Sequence, residues 1–397
     1  MRMPGDERRA MSLASLPGNP GGGALDAPTP IGFAEKIWRI NWGLVLVLTA
    51  IAGIGVLALY SAAGGRFDPW ASRHAMRYVA ALGVLLVTAL VPPRVWLALS
   101  WPIYIVALLL LVAVDLVGKI GMGAQRWLVL GPLQIQPSEI AKVAVILVLA
   151  RYYHGLRKEE AGRILYVIPP LLLILMPVGL VMVQPDLGTA MMVLMGGGAL
   201  LFVAGVPLWM FLVAAVGAVA SLPVAWSLMH EYQRKRVLTF LDPDRDPLGA
   251  GYHITQSKIA IGSGGLFGKG FGKGTQSALN FLPEKQTDFI FTSFVEEWGL
   301  VGALVLLGLF ALVLVWGFSI ALRCQHHFGR LVALGVTAMM FLYVFINTAM
   351  VMGLLPVVGV PLPLVSNGGT AMVSVMFACG LLIGVNVYRD AQLPRTR

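Results

Sequence analysis

The sequence predicts an all-α fold, a polytopic membrane helical bundle. Of its 397 residues, 58% are hydrophobic and only 12% are charged, and the mean hydropathy is +0.81. The apolar residues gather in runs of about 17–25, the length at which a helix crosses a hydrocarbon core of about 30 Å. Strands of a membrane barrel would alternate over about ten residues, and these runs do not alternate.

We place about ten transmembrane helices along the chain, at 42–61, 74–91, 98–117, 138–153, 164–183, 186–204, 207–229, 290–321, 331–354 and 370–388. A long extracytoplasmic loop, 230–289, separates the seventh span from the eighth. Because a loop of this length inside a compact protein is usually functional or disordered, and because it carries many apolar residues, we expect it to be structured and docked on the membrane domain.

The Lys and Arg residues of the short loops predict the orientation, because cytoplasmic loops of membrane proteins carry an excess of them. Both termini then lie in the cytoplasm. Residues 1–41, rich in Pro and Gly, are predicted to be a disordered tail, 42–390 the membrane domain and 391–397 a short C-terminal tail. The net charge of +10 lies largely in these loops, which favours membrane lipids over nucleic acid as the partner. The loop histidines His326 and His327 are expected to be solvated.

Asp288 is the acid that most needs a reason, because it lies where the long polar loop meets a very apolar helix. Desolvating a carboxylate at such a boundary is costly. We interpret Asp288 as a catalytic base.

Glu139 and Lys142 lie one turn inside the fourth span, three residues apart and therefore on one helix face. One interpretation is a local ion pair at a helix start. The other is a lysine that meets an anionic ligand, with Glu139 as its partner until a phosphate arrives.

Two further acids have the same kind of alternatives. Asp186 follows a proline at the start of the sixth span and is either a helix-start acid or a carboxylate at the outer mouth of a cavity. Glu296, followed by Glu297, lies inside the eighth span. At least one of the two is expected to pair with a Lys or Arg, and the other to face a cavity.

The segment 262–274 contains seven glycines, but it lacks the spacing of a nucleotide P-loop. It is either a hinge or an anion-binding nest of backbone amides with Lys269. The Pro- and Gly-rich segment 353–370, with Ser366, predicts non-helical backbone at membrane depth, either as a structural turn or as a wall of a substrate groove. No metal site or disulfide is indicated, since the chain has two cysteines and scattered histidines.

Several of these segments together resemble the SEDS family (shape, elongation, division and sporulation) of bacterial cell-wall polymerases. The segments that carry the resemblance are Gly123–Trp127, Gln136–Lys142, Gln184–Thr189, Asp246–His253, Phe281–Phe291 and Pro361–Ser366. The chain is more similar to the elongation type, RodA, than to the division type, FtsW, which usually has a lysine near Val358. Asn367 departs from the family, which usually has an aromatic residue there.

The resemblance implies ten membrane helices and polymerisation of lipid II into glycan strands at the outer face of the bacterial inner membrane. It implies a class B penicillin-binding transpeptidase as partner, within the elongation (rod) complex. It also implies that the essential aspartate is Asp288 and that Glu139, Lys142 and Asp186 are important.

As a mechanism we expect an inverting transfer in which Asp288 takes the proton of the attacking hydroxyl and cations meet the leaving diphosphate. The candidate cations are Lys142, Arg126 and Lys269, with Glu296 and Ser366 as further substrate-binding residues. No cofactor is certain, and a need for a divalent cation, Mg²⁺ or Mn²⁺, is left open. The alternatives are a lipid II flippase or other transporter, a division-type paralogue, and a non-catalytic scaffold.

Overall fold

The computed structural model describes residues 32–121, 124–130, 133–157, 159–229, 231–242, 250–279 and 284–394. The secondary structure formed by these residues is almost entirely helical. Its elements in chain order are α1 (Phe33–Arg39), α2 (Trp42–Ala62), α3 (Ala71–Leu90), α4 (Pro93–Val117), β1 (Lys119–Gly121), β2 (Ala124–Leu130), β3 (Leu133–Ile135), α5 (Pro137–Gly155), α6 (Ile164–Val183), α7 (Leu187–Val203), α8 (Leu208–Leu228), α9 (Glu231–Leu241), α10 (Ala250–Gly264), α11 (Thr275–Ala278), α12 (Ile290–Arg323), α13 (His327–Val351) and α14 (Gly369–Val387).

The chain is a multi-pass membrane protein. Seven of the helices in the described part, α2, α3, α4, α6, α12, α13 and α14, are long and apolar enough to cross a membrane. The apolar stretches of α7 and α8, over Leu187–Val203 and Leu208–Val224, are shorter. Together with α5, these helices account for all ten runs predicted from the sequence, one helix for each run. The number of helices that cross the bilayer stays a prediction.

Helix α13 lies at the centre of the bundle, where it packs against α5, α7, α12 and α14. Nearly all of α5 is buried as well, including the two charged side chains near its start. By contrast, α4, α6 and α8 expose long rows of Leu, Val and Ile. This distribution is the one expected of a membrane protein, with lipid-facing helices around central ones.

Between α4 and α5 the chain forms a small antiparallel sheet in the order β1–β2–β3. The residues pair Lys119 with Trp127 and Leu128 with Ile135. The all-α prediction therefore holds for the bundle but missed this sheet, whose strands are too short to leave a clear alternating pattern in the sequence.

The two predicted tails are more ordered near the bundle than expected. Residues 1–31 lie outside the described part, but α1 forms within the predicted N-terminal tail. In the predicted C-terminal tail, the carbonyl of Gln392 accepts a hydrogen bond from Arg94 (3.1 Å), and that of Pro394 lies 3.2 Å from Nε2 of His154.

The expectation that His326 is solvated is wrong. His326 is 5% exposed, and its Nδ1 accepts a hydrogen bond from the amide of Gly329 (2.9 Å), so that it caps the start of α13. Burial, aided by the nearby charges of His154 and Arg330 and opposed by a hydrogen bond to the backbone of Tyr388, lowers the pKa of His326 to about 4. His327 is only partly buried.

The glycine-rich segment is part of the long loop that docks on the bundle, at a break in α12. At Gly299 the backbone leaves the helical region (φ 66°, ψ −164°). The amides of Leu300 and Val301 donate to the carbonyls of Gly265 (2.9 Å) and Leu266 (3.1 Å). In return, the amides of Lys269 and Gly270 donate to α12 carbonyls, each at 3.0 Å. Backbone polar groups left open by the break are thus satisfied within the protein, as the interior of a membrane requires.

Candidate active site

Asp288 lies at the end of the bundle where α4, α6 and α13 end and α5, α7, α12 and α14 begin, which we call the Asp288 end. It closes a turn, 284–289, in which the amides of Thr287 and Phe289 donate to the carbonyl of Glu284 (3.1 and 3.3 Å). The Asp288 side chain is half-buried. The turn therefore presents a carboxylate at the entrance to α12 without sealing it from solvent.

A second strand of backbone approaches the Asp288 carboxylate. Gly359 has a φ of +75°, a conformation that side chains other than glycine rarely adopt. A Cβ at Gly359 would lie 3.5 Å from Oδ2 of Asp288. Glycine at this position therefore gives both the turn and the room beside the carboxylate.

The segment after α13 is tied to the Asp288 turn by two hydrogen bonds, from the Ser366 side chain and the Asn367 amide. The Ser366 hydroxyl donates to the carbonyl of Thr287 (2.7 Å) and accepts from the amide of Leu362 (2.8 Å). The amide of Asn367 donates to the carbonyl of Gln286 (2.8 Å). Ser366, which the sequence suggested for substrate binding, is buried and is placed here as a link between the two segments.

Asn367, the departure from the family pattern, makes a polar contact with α3. Its Oδ1 accepts a hydrogen bond from Nη1 of Arg77 (3.0 Å). A Cβ at the nearby Gly369 would lie 3.0 Å from Nε of the same arginine. A guanidinium–amide pair thus occupies the place where an aromatic ring is usual.

Glu139 and Lys142 form the ion pair that their spacing predicts. The Lys142 amine donates to Oε1 of Glu139 (2.7 Å), and the two side chains are 3% and 5% exposed. The hydroxyl of Tyr343, on α13, accepts a hydrogen bond from Lys142 and donates to Oε2 of Glu139 (2.6 Å). The charge of the lysine is therefore neutralised inside the protein.

Asp186 caps the start of α7. Its Oδ1 accepts from the amide of Thr189 (3.2 Å) and its Oδ2 from the hydroxyl of the same residue (2.9 Å). Gln136, the residue before α5, reaches Oδ2 with its side-chain amide (3.4 Å). A Cβ at Gly188 would collide with the carbonyl of Val358, so this helix start packs directly on the segment that approaches Asp288.

Arg126 differs from Lys142 in its hydrogen-bond partners, which are main-chain carbonyls and not a carboxylate. From β2, its Nε donates to the carbonyl of Gln184 (3.2 Å) and its Nη2 to that of Pro185. These partners are neutral, and the side chain is half-buried. Among the described residues, no ion pair neutralises the charge of Arg126, and a guanidinium has five N–H donors, of which these bonds use two.

Lys269 and Glu296 pair with each other at the break in α12. The carboxylate of Glu296 is buried and accepts from Nζ of Lys269 (2.6 Å), the hydroxyl of Thr275 (3.0 Å) and the amide of Gln276 (3.1 Å). Within the segment 262–274, Lys269 donates through its side chain to this carboxylate, while the other two donors, Thr275 and Gln276, follow the segment. Glu296 lies six residues into α12, roughly 9 Å from its start.

Helix α13 connects the buried ion pair to Asp288. Tyr343 and Asn347 are four residues apart, so they lie on one face about 6 Å from each other. The side-chain amide of Asn347 donates to the carbonyls of Asp288 (3.0 Å) and Val360 (2.7 Å). Neither residue was predicted from the sequence, although an asparagine within an apolar helix is a usable signal.

Lys285 was also missed. It lies in the Asp288 turn and is half-buried, and burial lowers the pKa of its amine.

In the described part of the chain, no group of three or more His, Cys, Asp or Glu side chains could hold a metal ion.

The chain is similar to a known family and to known proteins. Residues 41–391 match the model of the FtsW/RodA/SpoVE family, described as cell cycle proteins. The chain is 46% identical over 376 residues to the peptidoglycan glycosyltransferase MrdB of Escherichia coli K12, covering 92% of this chain and 98% of that protein. It is 34% identical over 378 residues to a probable peptidoglycan glycosyltransferase FtsW of Aliivibrio salmonicida, covering 93% and 94%.

Solved structures of related proteins are similar to the chain as well. A chain from a peptidoglycan synthase complex, described as coordinating polymerization and crosslinking, aligns with a TM-score of 0.74 at 37% identity, covering 89% of this chain and 99% of the other. The crystal structure of Thermus thermophilus rod shape determining protein RodA aligns with a TM-score of 0.65 at 34% identity, covering 89% and 98%.

Proposed function

The chain belongs to the FtsW/RodA/SpoVE family of cell cycle proteins, and we propose that it is a peptidoglycan glycosyltransferase that polymerises lipid II into glycan strands during cell elongation. The observation that carries the residue assignment is the half-buried Asp288 carboxylate. It lies at a helix entrance, between a turn and a glycine that leaves room beside it. This arrangement suits a base that must meet a substrate from outside the bundle.

The reaction joins a sugar hydroxyl of one lipid II to the anomeric carbon of another. The hydroxyl oxygen attacks that carbon, the bond to the diphosphate breaks with its electron pair, and the hydroxyl proton passes to Asp288. A single displacement turns an α-linked donor into a β-linked product. Such a base must come within about 2.6–3.2 Å of the hydroxyl and contributes roughly 10²–10⁴-fold to the rate.

The departing diphosphate needs positive charge, and the three candidate cations differ in how much they offer. Lys142 is neutralised by Glu139, and Lys269 is neutralised by Glu296. Arg126 is bound by carbonyl oxygens only, among the described residues, and keeps its charge. We therefore assign Arg126 to the diphosphate and assign Lys142 to positioning, through Tyr343 and α13. This assignment narrows the sequence-based expectation, in which Lys142, Arg126 and Lys269 were all candidates for the diphosphate.

We further propose that all ten helices cross the bacterial inner membrane, with both termini in the cytoplasm and the Asp288 end facing the periplasm. The 230–289 loop then lies on the same side as the lipid-linked substrate. A class B penicillin-binding transpeptidase is the proposed partner, within the elongation complex. The likeness to a chain of a peptidoglycan synthase complex supports this partner.

The test is polymerisation of fluorescent lipid II by the purified full chain in proteoliposomes. Asp288→Asn keeps the shape of the side chain and removes the base, so we expect polymer formation to fall by at least about 10²-fold while the protein stays folded. The control is Asp68→Asn, an exposed acid at the same end of the bundle, between α2 and α3. This variant should polymerise as the wild type does.

Each other outcome points elsewhere. Full activity of Asp288→Asn would remove Asp288 from the chemistry. Translocation of lipid II by the wild type without glycan would identify a flippase. Neither activity from the wild type would leave the scaffold alternative.

A further inference from the structure

An apolar groove runs along the surface of the bundle between α4 and α6. Its volume is about 590 Å³, within the range of small-molecule sites. Its lining is wholly aliphatic apart from one methionine and one glycine: Ile105, Leu108, Leu109, Val112, Leu175, Met176, Gly179 and Leu180. Several of these side chains are about half exposed, so the groove opens toward the surrounding lipid.

The groove lies near the Asp288 end. Val112 is five residues before the end of α4 and Leu180 three residues before the end of α6, so the groove begins roughly 5–8 Å below these helix ends. Ile105, its deepest lining residue on α4, lies roughly 18 Å below the end of that helix. The groove therefore occupies the half of the bilayer that adjoins the site.

Polar groups lie beyond the upper end of the groove, outside its lining. The side-chain amide of Gln184, directly after α6, donates to the carbonyl of Leu111 on α4 (2.9 Å), next to the lining residue Val112. Nε of Arg126 donates to the main-chain carbonyl of the same glutamine (3.2 Å). The guanidinium thus bonds to the residue that bridges α4 and α6 above the groove, whose lining residues carry no charge.

We propose that this groove holds the first isoprene units of the polyprenyl tail of lipid II, with Arg126 on the diphosphate to which the tail is attached. The inference rests on the proposed function. An aliphatic chain joined directly to a diphosphate fits an apolar groove with a cation near its end. Arg126 supplies that cation, at an end of the groove where α4 also carries Asp115, three residues after Val112. A polyprenyl diphosphate also offers more negative charge to Arg126 than the single phosphate of a bulk phospholipid.

The expected energy of tail binding is modest. Lipid chains are as apolar as the groove, so the hydrophobic effect does not draw the tail out of the bilayer, and selection depends on packing. Gly179 provides the handle for a test, because a Cβ there would meet nothing within 4 Å. Replacing it with leucine fills the groove with a side chain that favours helix formation more than glycine does.

The experiment compares Gly179→Leu with Gly217→Leu, a lipid-exposed glycine of α8 whose Cβ also would meet nothing within 4 Å. The substrates are lipid II with its full undecaprenyl tail and an analogue whose tail is cut to one isoprene unit. For Gly179→Leu we expect KM for the full-length substrate to rise about tenfold, a typical effect of a misfitting methylene group in an apolar pocket. KM for the short analogue and kcat should stay at the wild-type values, and Gly217→Leu should change neither.

Two results would overturn the inference. One is an unchanged KM for the long substrate in Gly179→Leu, which would mean that the tail lies elsewhere and that the groove holds ordinary lipid. The other is an equal rise for both substrates, which would mean that leucine disturbs the site through the fold. Absence of glycan from the wild type would instead overturn the proposed function, so the two failures are distinguishable.

Discussion

Replacing Lys142 with methionine should destabilise the protein far more than the loss of one lysine usually does. The amine and the Glu139 carboxylate are 2.7 Å apart and only 3% and 5% exposed. Removing one partner of such a pair leaves a buried charge without its counter-ion, which costs about 3–5 kcal/mol. The hydroxyl of Tyr343 would remain on Glu139 but cannot neutralise it.

The double variant Glu139→Gln/Lys142→Met separates this penalty from the worth of the pair itself. Glutamine keeps an acceptor for Tyr343, and no buried charge remains. We expect the double variant to recover most of the lost free energy of unfolding, with a coupling energy of up to about 3 kcal/mol. The measurement is reversible denaturation in mixed detergent micelles, followed by circular dichroism at fixed detergent composition.

The exposed pair of Glu35 and Arg39 provides the matched control. These residues are 2.7 Å apart, like the buried pair, but their side chains are 51% and 35% exposed. Arg39→Met removes this pair together with the exposed contact of Arg39 with Asp390 (3.3 Å), and it should still cost less than about 1 kcal/mol. Equal effects of Lys142→Met and Arg39→Met would refute the reasoning, since burial would then not govern the cost.

Two further changes test features outside the ion pair. His326→Asn keeps a cap for the amide of Gly329, and it should remove a loss of stability that the wild type shows as the pH falls from 6.5 to about 4. In that window the histidine of the unfolded chain binds a proton and the buried one does not, so the loss of stability is at most about 3 kcal/mol. Melting temperatures at pH 7.5 and pH 5 measure this loss. An equal decline of the melting temperature in the wild type and in His326→Asn would contradict the assignment. Gly299→Ala should destabilise α12, because the φ of residue 299 is +66° and the new Cβ would collide with the amide of Gly268. The control is Gly308→Ala, whose Cβ would meet nothing within 4 Å and which should therefore be neutral or stabilising. Equal melting temperatures of these two variants would show that the break in α12 is not held by the glycine-rich segment.

The sequence predicted the helical bundle well, because the signal for a membrane helix is local. Each apolar run is long enough to be recognised without knowledge of its neighbours. The sheet of β1–β3 and the helix α1 were missed, since both are short and lie in segments of mixed composition. The break at Gly299 was missed for a different reason: one glycine in an apolar run does not reveal the loop that packs against it.

Contacts of the site between residues close in sequence could be predicted, and contacts between distant residues could not. The pairing of Glu139 with Lys142 follows from their spacing along one helix. The contacts of Tyr343 and Asn347 join residues far apart in the chain, so no spacing rule could find them. Lys269 and Glu296 were both expected to contact charged groups, but only the structure shows that they contact each other.

The position of α13 makes the buried ion pair and the proposed base parts of one mechanical unit. Tyr343 is held by Glu139 and Lys142, and one turn further along, Asn347 holds both the Asp288 turn and the segment that contains Gly359. A change at the ion pair that tilts α13 would therefore move the Asp288 carboxylate and the glycine beside it together. Because base catalysis depends on hydrogen-bond distance, loss of activity in a Lys142 variant does not by itself place that lysine on the substrate. The double variant decides the point: recovery of both stability and polymerisation would assign Lys142 to positioning, whereas recovery of stability alone would return it to the diphosphate.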